Sequence, residues 1–279
     1  MQETYSISGR RAQRLVGLSR GTAYYRSRGK DDDMLRAAIK RIAAERKSFG
    51  YKRIAIMLRK EGYIHNIKKI YRIYKEEGLM VKRRKCRKRA IGSRQPLPHP
   101  DKINQVWSLD FISDALSDGR RLRILVVMDQ CSRECLTLLA DTSINGKRVV
   151  RELDRIIEMR GLPSCIISDN GTEFTSRAVL SWSHERKIEW HYTRPGHPQE
   201  NGFTESLNAR IRDECLNENI FNDLFEARKI IEEWRNDYND VRPHGSIGNI
   251  SPMAYRASLR QTLVVAQPGS CHVKTFQVS

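Results

Sequence analysis

Three acidic residues occupy positions in which a carboxylate could do chemistry. Asp110 lies inside the apolar run of residues 106–112, and Asp169 directly follows another apolar run, at the turn sequence Asp-Asn-Gly. Glu205 lies in a segment whose polar residues have helical spacing. An ionised carboxylate among apolar side chains is costly unless a cation compensates its charge. If the fold brings Asp110, Asp169 and Glu205 together, they predict a Mg²⁺ site.

The sequence predicts the secondary structure around two of these acids. The segment before Asp169 predicts a short buried strand that stops at the turn, because Asp, Asn and Gly tolerate left-handed backbone angles. The segment of Glu205 predicts the start of a helix, in which Asn201, Glu205, Asn208 and Arg212 recur at intervals of three or four residues. These four side chains are therefore expected to share one helical face.

Each acid also has a plain structural interpretation. An Asp before Asn-Gly is usually a turn residue, and a Glu on a helix is usually solvated, so the functional interpretation depends on all three acids together. Other acids compete with Asp110. Asp114 and Asp118 are predicted to face solvent in a hairpin loop, and Asp129 is predicted to be structural at the end of the second strand.

Positive charge is concentrated in the first third of the 279-residue chain. Residues 1–100 hold 28 Lys and Arg against 8 Asp and Glu, whereas residues 101–279 hold 23 against 25, and the whole chain has a formal net charge of +18. A basic module attached to a near-neutral body is typical of proteins that bind a polyanion. The distribution predicts nucleic acid as the partner.

The chain begins with a candidate helix-turn-helix. Residues 11–28 predict a helix, a turn at residues 17–19 and a second short helix capped by Ser19. Such a unit could present Arg20 and Tyr24 to a groove of DNA. A small helical hairpin without DNA contact is an equally good interpretation of the same pattern.

A second helix-turn-helix-like unit follows. One helix is predicted to begin at Gly50 and another at Asn66, with a break at Gly62 between them. Apolar residues at helical spacing predict the core of this unit, and cations on the opposite face predict its phosphate contacts. These cations are Lys68, Lys69 and Arg72.

A basic arm and a linker end the first domain. Seven of the eight residues at 82–89 are cations, a density that predicts DNA contact rather than a folded core. They are Lys82, Arg83, Arg84, Lys85, Arg87, Lys88 and Arg89. The prolines that follow predict a stiff, extended linker. We therefore divide this part into an all-α DNA-binding region, residues 1–90, and a linker, residues 91–103.

The pattern changes from helices to strands at residue 106. Residues 106–112 and 122–128 predict an antiparallel hairpin, and a third strand, a helix, a strand, a helix, a strand and the Glu205 helix follow. This order predicts an α/β domain with a mixed sheet flanked by helices, as in ribonuclease-H-like domains. We assign it to residues 104–262.

The last part of the domain is predicted to be helical. Residues 221–238 form an amphipathic pattern whose inner side is expected to carry Phe225, Ile230, Ile231 and Trp234. Residues 263–279 lose periodicity and predict a frayed tail. Six scattered cysteines without a zinc-binding pattern, no apolar run of about 20 residues and no signal-peptide pattern predict a cytoplasmic protein without a membrane segment.

Four blocks give the chain a family likeness. Asp110, Asp169 and Glu205, with 35 residues between the last two, resemble the DD(35)E signature of retroviral integrases and many bacterial transposases. More specifically, the chain resembles the second-frame (OrfB) transposases of bacterial insertion sequences with two overlapping reading frames. The blocks that carry the likeness are WSLDF at 107–111, SDNGTEF at 168–174, NGFTESLNARIRDECL at 201–216 and DYNDVRPH at 237–244.

The resemblance implies a ribonuclease-H-like core that cuts and joins DNA at insertion-sequence ends with two Mg²⁺ ions, for which Mn²⁺ can substitute. Asp110 would bridge both ions, with Asp169 on one and Glu205 on the other. Arg212 would bind the phosphate, and Asn208 would orient the DNA.

The resemblance also implies partners. They are double-stranded DNA from the element ends and the target, and a second copy of the chain, because pairing two ends needs at least a dimer. The first-frame product is a further candidate, as a fusion or as a separate partner. The chain begins with its own Met and shows no leucine-zipper heptads, which favours the second-frame part alone. The resemblance places it in the bacterial cytoplasm, on the nucleoid when bound to DNA.

Two other functions fit parts of the pattern. A ribonuclease-H-type nuclease would cut without joining, but it would not need the basic first hundred residues. An inactive DNA-binding regulator of the element would need that region, but it would not need the intact acids. Each alternative therefore leaves one feature unexplained, either the basic first hundred residues or the three intact acids.

Overall fold

The structure is a computed structural model that describes residues 7–25, 32–81, 100–194 and 201–265, with side chains described to residue 260. Its elements in chain order are α1 Gly9–Val16, α2 Arg20–Ala23, α3 Asp33–Glu45, α4 Tyr51–Lys60, α5 Ile67–Glu76, β1 Val106–Ala115, β2 Arg121–Asp129, β3 Cys135–Asp141, α6 Gly146–Arg160, β4 Cys165–Ser168, α7 Arg177–Glu185, β5 Glu189–Tyr192, α8 Gly202–Glu214, α9 Leu224–Asp240 and α10 Pro252–Val265.

The first two helices form the predicted turn. Gly17 ends α1 with a left-handed φ of 69°, and the side chain of Ser19 accepts a hydrogen bond from the Thr22 amide at the start of α2. A residue with a Cβ would be strained at this φ, which explains the glycine. Arg20 and Tyr24 are exposed, as expected for the groove-facing residues of the predicted unit.

Helices α3, α4 and α5 pack around a hydrophobic core of their own. Ile39, Ile54, Leu58 and Ile70 are fully buried in this core, and the last three lie in the two helices whose apolar spacing predicted it. Asn66 caps α5 by accepting a hydrogen bond from the Lys68 amide. The predicted second helical unit is therefore present.

The rest of the chain forms a five-stranded mixed sheet with the order β3-β2-β1-β4-β5. Strands β1, β2 and β3 pair antiparallel, whereas β4 and β5 pair parallel to β1 and to each other. This confirms the predicted ribonuclease-H-like fold. The hairpin is longer than predicted, because β1 and β2 pair as far as Ala115 with Arg121. Asp114 therefore lies in β1 rather than in the loop, and the prediction for it was wrong.

Side-chain alternation divides the sheet into two faces. On one face, Trp107 and Leu109 of β1 pack against α6 and α7. On the other face, Ile112 of β1 packs with residues of α8 and α9. Even-numbered residues of β1, including Asp110, therefore point towards the side that α8 covers.

The carboxyl-terminal helices differ from the sequence prediction in two places. Phe225 was expected on the inner side of α9, but it is 78% exposed. The buried face of this helix follows Ala227, Ile231 and Tyr238, and Phe225 lies about one third of a turn outside that stripe. Helix α10 continues to Val265, three residues into the predicted tail, while residues 266–279 lie outside the described part. No helix of the described residues has the length and apolarity needed to cross a membrane.

Candidate active site

Asp110 lies in the middle of β1, opposite Val126 of β2, and is half-buried. Two donors orient its carboxylate. The backbone amide of Phe111 donates to Oδ1 at 2.8 Å, and the side-chain amide of Asn208 on α8 donates to Oδ2 at 2.6 Å. The predicted helix-face residue Asn208 is therefore in direct contact with the strand acid.

Asp169 directly follows β4, which pairs parallel to β1. The last paired residues are Ser108 and Ile167, so extending the register by two residues sets Asp110 level with Asp169. Neighbouring strands lie about 4.8 Å apart. Asp169 is exposed, and its Oδ1 accepts a hydrogen bond from the Gly171 amide at 3.1 Å. A Cβ at Gly171 would approach that oxygen to 3.1 Å, so glycine suits the close turn.

Glu205 is exposed in the first turn of α8. The helix is fixed against the sheet by Leu207 and Ile211, which are fully buried, and by Asn201, whose amide donates to the Leu109 carbonyl at 3.1 Å. The predicted helix face thus lies against β1, with Asn201 and Asn208 making contacts on either side of Glu205.

The charges of Asp169 and Glu205 act on the carboxylate of Asp110. Burial raises the pKa of Asp110 to about 6, and the negative charges of Asp169 and Glu205 add to the increase, against the hydrogen bonds from Phe111 and Asn208. Like charges oppose ionisation only at short range. The fold therefore brings together three acids that are far apart in the sequence.

The donor set suits a hard divalent cation. Carboxylate oxygens are preferred by Mg²⁺ and Mn²⁺, and Mg²⁺ keeps several waters, so few protein ligands suffice. With the side chains as they stand, no three His, Cys, Asp or Glu residues of the described ranges are grouped closely enough to hold an ion. Among the three acids, Glu205 is the one on an exposed helical surface, where no packing fixes its rotamer.

The competing acids are accounted for by other contacts. Asp129 is buried and accepts hydrogen bonds from Ser132 and from the Asn104 amide, which supports its predicted structural role. Asp118 is exposed and pairs with Arg120 at 2.6 Å, as the hairpin prediction required. Neither residue is in contact with Asp110.

The predicted DNA contacts are distributed over several surfaces. Arg212 is exposed on α8, with a guanidinium nitrogen 3.4 Å from the Ser113 carbonyl, and Arg20 and Lys68 are exposed. Lys69 and Arg72 instead form ion pairs of 2.6 Å with one carboxylate, that of Asp32. Residues 82–89, with Lys82, Arg83, Arg84, Lys85, Arg87, Lys88 and Arg89, lie outside the described residues. All of these contacts stay predictions.

One interaction near the site was not predicted from the sequence. Arg123 of β2 forms an ion pair with Glu173, in the loop after Asp169, and lies over the Phe111 ring with 4.4 Å between guanidinium carbon and ring centroid. The pair joins that loop to the strand hairpin that carries Asp110. Glu173 belongs to the motif around Asp169, but nothing in the sequence indicated its partner, 50 residues earlier.

Comparison with known proteins identifies the domains. Residues 100–198 match one model described as an integrase core domain, residues 186–252 match a second model of that description, and residues 30–87 match an HTH-like domain. A simian T-cell lymphotropic virus intasome structure, in complex with a PP2A regulatory subunit, matches with a TM-score of 0.52 and 16% identity, over 81% of this chain and 76% of that chain. This likeness supports the fold.

The fold and the integrase-core matches define a polynucleotidyl transferase of the ribonuclease-H-like class. Among relatives, an uncharacterized 31.7 kDa protein of insertion element IS407 from Burkholderia multivorans is 41% identical over 94% of this chain and 95% of its own length. The InsD transposase of insertion element IS2 from Escherichia coli is 27% identical over 82% and 80%. The chain belongs to the DDE transposases of insertion sequences, as the sequence motifs predicted.

Proposed function

We propose that Asp110, Asp169 and Glu205 are the catalytic residues of this transposase and that they bind two divalent cations, Mg²⁺ or Mn²⁺. In the proposed reaction the chain cleaves DNA strands at the ends of its insertion sequence and joins them to target DNA. The position of Asp110 is the observation that carries this assignment: it lies level with Asp169 on the neighbouring strand and accepts a hydrogen bond from Asn208, on the helix that also carries Glu205.

The three carboxylates would act mainly by holding the metal ions in place. The three carboxylates would hold the metal ions, which when bound would supply activation of the attacking water or 3′-hydroxyl and stabilisation of the leaving oxygen. Asp110 lies on the strand next to the one that Asp169 follows, and against the helix that carries Glu205, so it would hold the metal ions together with both of these acids. Asn208 donates a hydrogen bond to one oxygen of Asp110 and so fixes the orientation of this carboxylate.

The remaining contacts belong to DNA recognition. Arg212 follows Glu205 by two helical turns on the same face and would bind a phosphate near the reacting bond. The basic amino-terminal region would bind the element ends, and two ends would require at least two copies of the chain. The first-frame product would act as a fusion or as a partner.

The test is an assay with end-labelled duplexes that carry the element's own ends. With Mg²⁺, the wild-type chain should give joined products, and Asp169→Ala should abolish cleavage and joining while leaving the mobility shift. Asp118→Ala is the matched control, because Asp118 is an exposed acid in the β1–β2 turn that pairs only with Arg120 in the described structure. It should retain activity.

The outcomes separate three functions. Joined products identify a transposase, hydrolysis without joining identifies a nuclease, and a mobility shift without cleavage identifies a regulator. Cleavage that persists in Asp169→Ala would show that the acid assignment is wrong.

A further inference from the structure

Several arginines meet where the helical unit contacts the catalytic domain. Phe49, between α3 and α4, is 2% exposed. Three guanidinium carbons lie close to the centroid of its ring: Arg46 at 5.3 Å, Arg53 at 5.3 Å and Arg242 at 5.5 Å. The first two arginines belong to the helical unit, and Arg242 follows α9 in the catalytic domain. We call this place the arginine junction. It also includes Arg210 of α8, which forms a side-chain hydrogen bond with Tyr238, and the guanidinium carbon of Arg242 lies 5.8 Å from the centroid of the Tyr238 ring.

Two carboxylates compensate only part of this charge. Asp237 accepts hydrogen bonds from both terminal nitrogens of Arg46. Glu214 accepts a hydrogen bond of 2.9 Å from the Nε of Arg242 and another from one of its terminal nitrogens. Within the described ranges, Arg53 and Arg210 have no carboxylate within ion-pair distance. Among the described residues, two of the four guanidinium groups are therefore paired with a carboxylate and two are not.

One buried donor at the junction also has no acceptor. Arg242 is 1% exposed. Its Nη1 has no hydrogen-bond partner among the described residues. A buried donor of a charged group without an acceptor is costly. The side chain is thus fixed by Glu214 on one side and leaves a donor directed into the junction on the other.

The remaining arginines influence one another and their neighbours. Burial lowers the pKa of Arg53 to about 10, and the charges of Arg242 and Arg210 contribute, against Glu214. Burial also lowers the pKa of His244 to about 3, with contributions from Arg242, Arg210 and Arg53. The three guanidiniums therefore act on the same imidazole and lie within electrostatic range of each other.

We infer that the half-buried Arg53 and Arg210, supported by the charge of the buried Arg242, form a binding site for a backbone phosphate of the DNA substrate, at the junction of the helical unit with the catalytic domain. Guanidinium groups bind phosphate oxygens through paired donors, and a buried cationic site favours an anion strongly. A junction with only a structural role would not need the two guanidiniums that lack carboxylates. The inference rests on the proposed function, because it takes DNA as the ligand.

The position relative to the acids is consistent with this assignment. Arg210 follows Glu205 by five residues on α8, which corresponds to about 7.5 Å along the helix axis and about 140° around it. The two side chains therefore leave the same helix on different faces, one towards the acids and one towards the helical unit. A phosphate bound at the junction would fix the DNA to both parts of the protein at once.

The experiment measures affinity for a labelled duplex of the element end by fluorescence anisotropy, over a range of NaCl concentrations. The variants are Arg53→Gln and Arg210→Gln, both half-buried, while Arg242 is left intact because of its burial. Arg151→Gln is the matched control, since Arg151 is an exposed arginine on α6, away from the junction. All three variants lose one positive charge.

We expect each junction variant to lose about tenfold in affinity at low salt, and the slope of log K against log salt to fall by about one. Arg151→Gln should change affinity less than twofold. Without DNA, the melting temperature of Arg53→Gln should equal that of the wild type or be slightly higher, because the substitution removes a half-buried cation that lies close to other cations. Inorganic phosphate should raise the melting temperature of the wild type more than that of Arg53→Gln at matched ionic strength.

Several results would overturn the inference. One is equal affinity losses in all three variants, which would indicate general electrostatics. Another is a lower melting temperature of Arg53→Gln with unchanged DNA affinity, which would indicate a structural role. Stabilisation by inorganic phosphate without any effect of Arg53→Gln on DNA binding would restrict the site to small anions. The Asp169→Ala result is independent of these outcomes, so the proposed function and the phosphate site can fail separately.

Discussion

The acid cluster and the arginine junction are charge imbalances of opposite sign, held by the same helix. At the acid cluster, the charges of Asp169 and Glu205 act on Asp110, and the described residues provide no cation within ion-pair distance of the three acids. At the junction, the carboxylates of Asp237 and Glu214 pair with two of the four guanidiniums. Like charges that a fold holds together raise its free energy, so an unbalanced cluster favours a ligand of the opposite sign. The acids suit metal ions, and the arginines suit phosphate.

Asp110→Asn should have the largest effect, because it removes the central acid. Without this ligand the other two carboxylates cannot hold a metal pair, and several kcal/mol of charge stabilisation are lost. We expect strand cleavage to fall by about a thousandfold or more, measured as the initial rate on a labelled element end with saturating Mg²⁺.

The same variant should leave the junction unaffected. Its affinity for the duplex in EDTA should match that of the wild type, and its melting temperature should not increase on addition of Mg²⁺, whereas that of the wild type should increase. Metal-dependent stabilisation of Asp110→Asn equal to that of the wild type would contradict the placement of the metal site.

His244 provides a test of the junction through pH. The residue is 3% exposed and lies beside Tyr238, and its pKa is lowered to about 3 by burial and by the surrounding arginines. An unfolded chain binds a proton at this residue near pH 6.5, whereas the folded chain does not bind it until about pH 3. Stability is therefore greatest above pH 6.5 and decreases as the pH falls through that value.

The expected loss from this one group is about 2 kcal/mol of unfolding free energy between pH 7.5 and pH 5. Chemical denaturation at several pH values should show it as a steeper pH dependence of the wild type than of His244→Gln. His191→Gln, at an exposed histidine, is the control and should keep the wild-type dependence. Parallel curves for the wild type and His244→Gln would show that the imidazole titrates normally.

Asp237→Asn should reverse the sign of the effect expected for Arg53→Gln. It removes the carboxylate that pairs with Arg46 across the junction and leaves a larger excess of positive charge. Because both partners are partly exposed, we expect a loss of about 1.5 kcal/mol in unfolding free energy. DNA affinity at low salt should increase by a few fold, whereas a decrease would indicate that Asp237 positions Arg46 for the DNA. Asp240→Asn, at an exposed acid on the same helix, should change neither quantity.

The sequence was most informative where one periodic pattern determined one element. The short buried strand before Asp169 and the helix that carries Glu205 both followed from residue spacing and turn residues alone. The arginine junction could not be predicted this way. Its members lie at 46, 53, 210 and 242, and each alone looks like an ordinary surface cation. Only docking of the helical unit on the catalytic domain shows that these arginines exceed their carboxylates. The basic arm at 82–89 stays a prediction, since it lies outside the described residues.

Substitution of Phe225, which lies outside both charged regions, should have the smallest effect. The sequence pattern placed it in the core of α9, but in the structure it is 78% exposed and belongs to neither charged region. Phe225→Ser should therefore change the unfolding free energy by no more than about 0.5 kcal/mol. Ile231→Ala, one of the fully buried residues of the same helix, should cost about 3 kcal/mol in the same denaturation experiment. A loss at Phe225 as large as that at Ile231 would show that the face assigned to α9 is wrong, and with it the position of Asp237 at the junction.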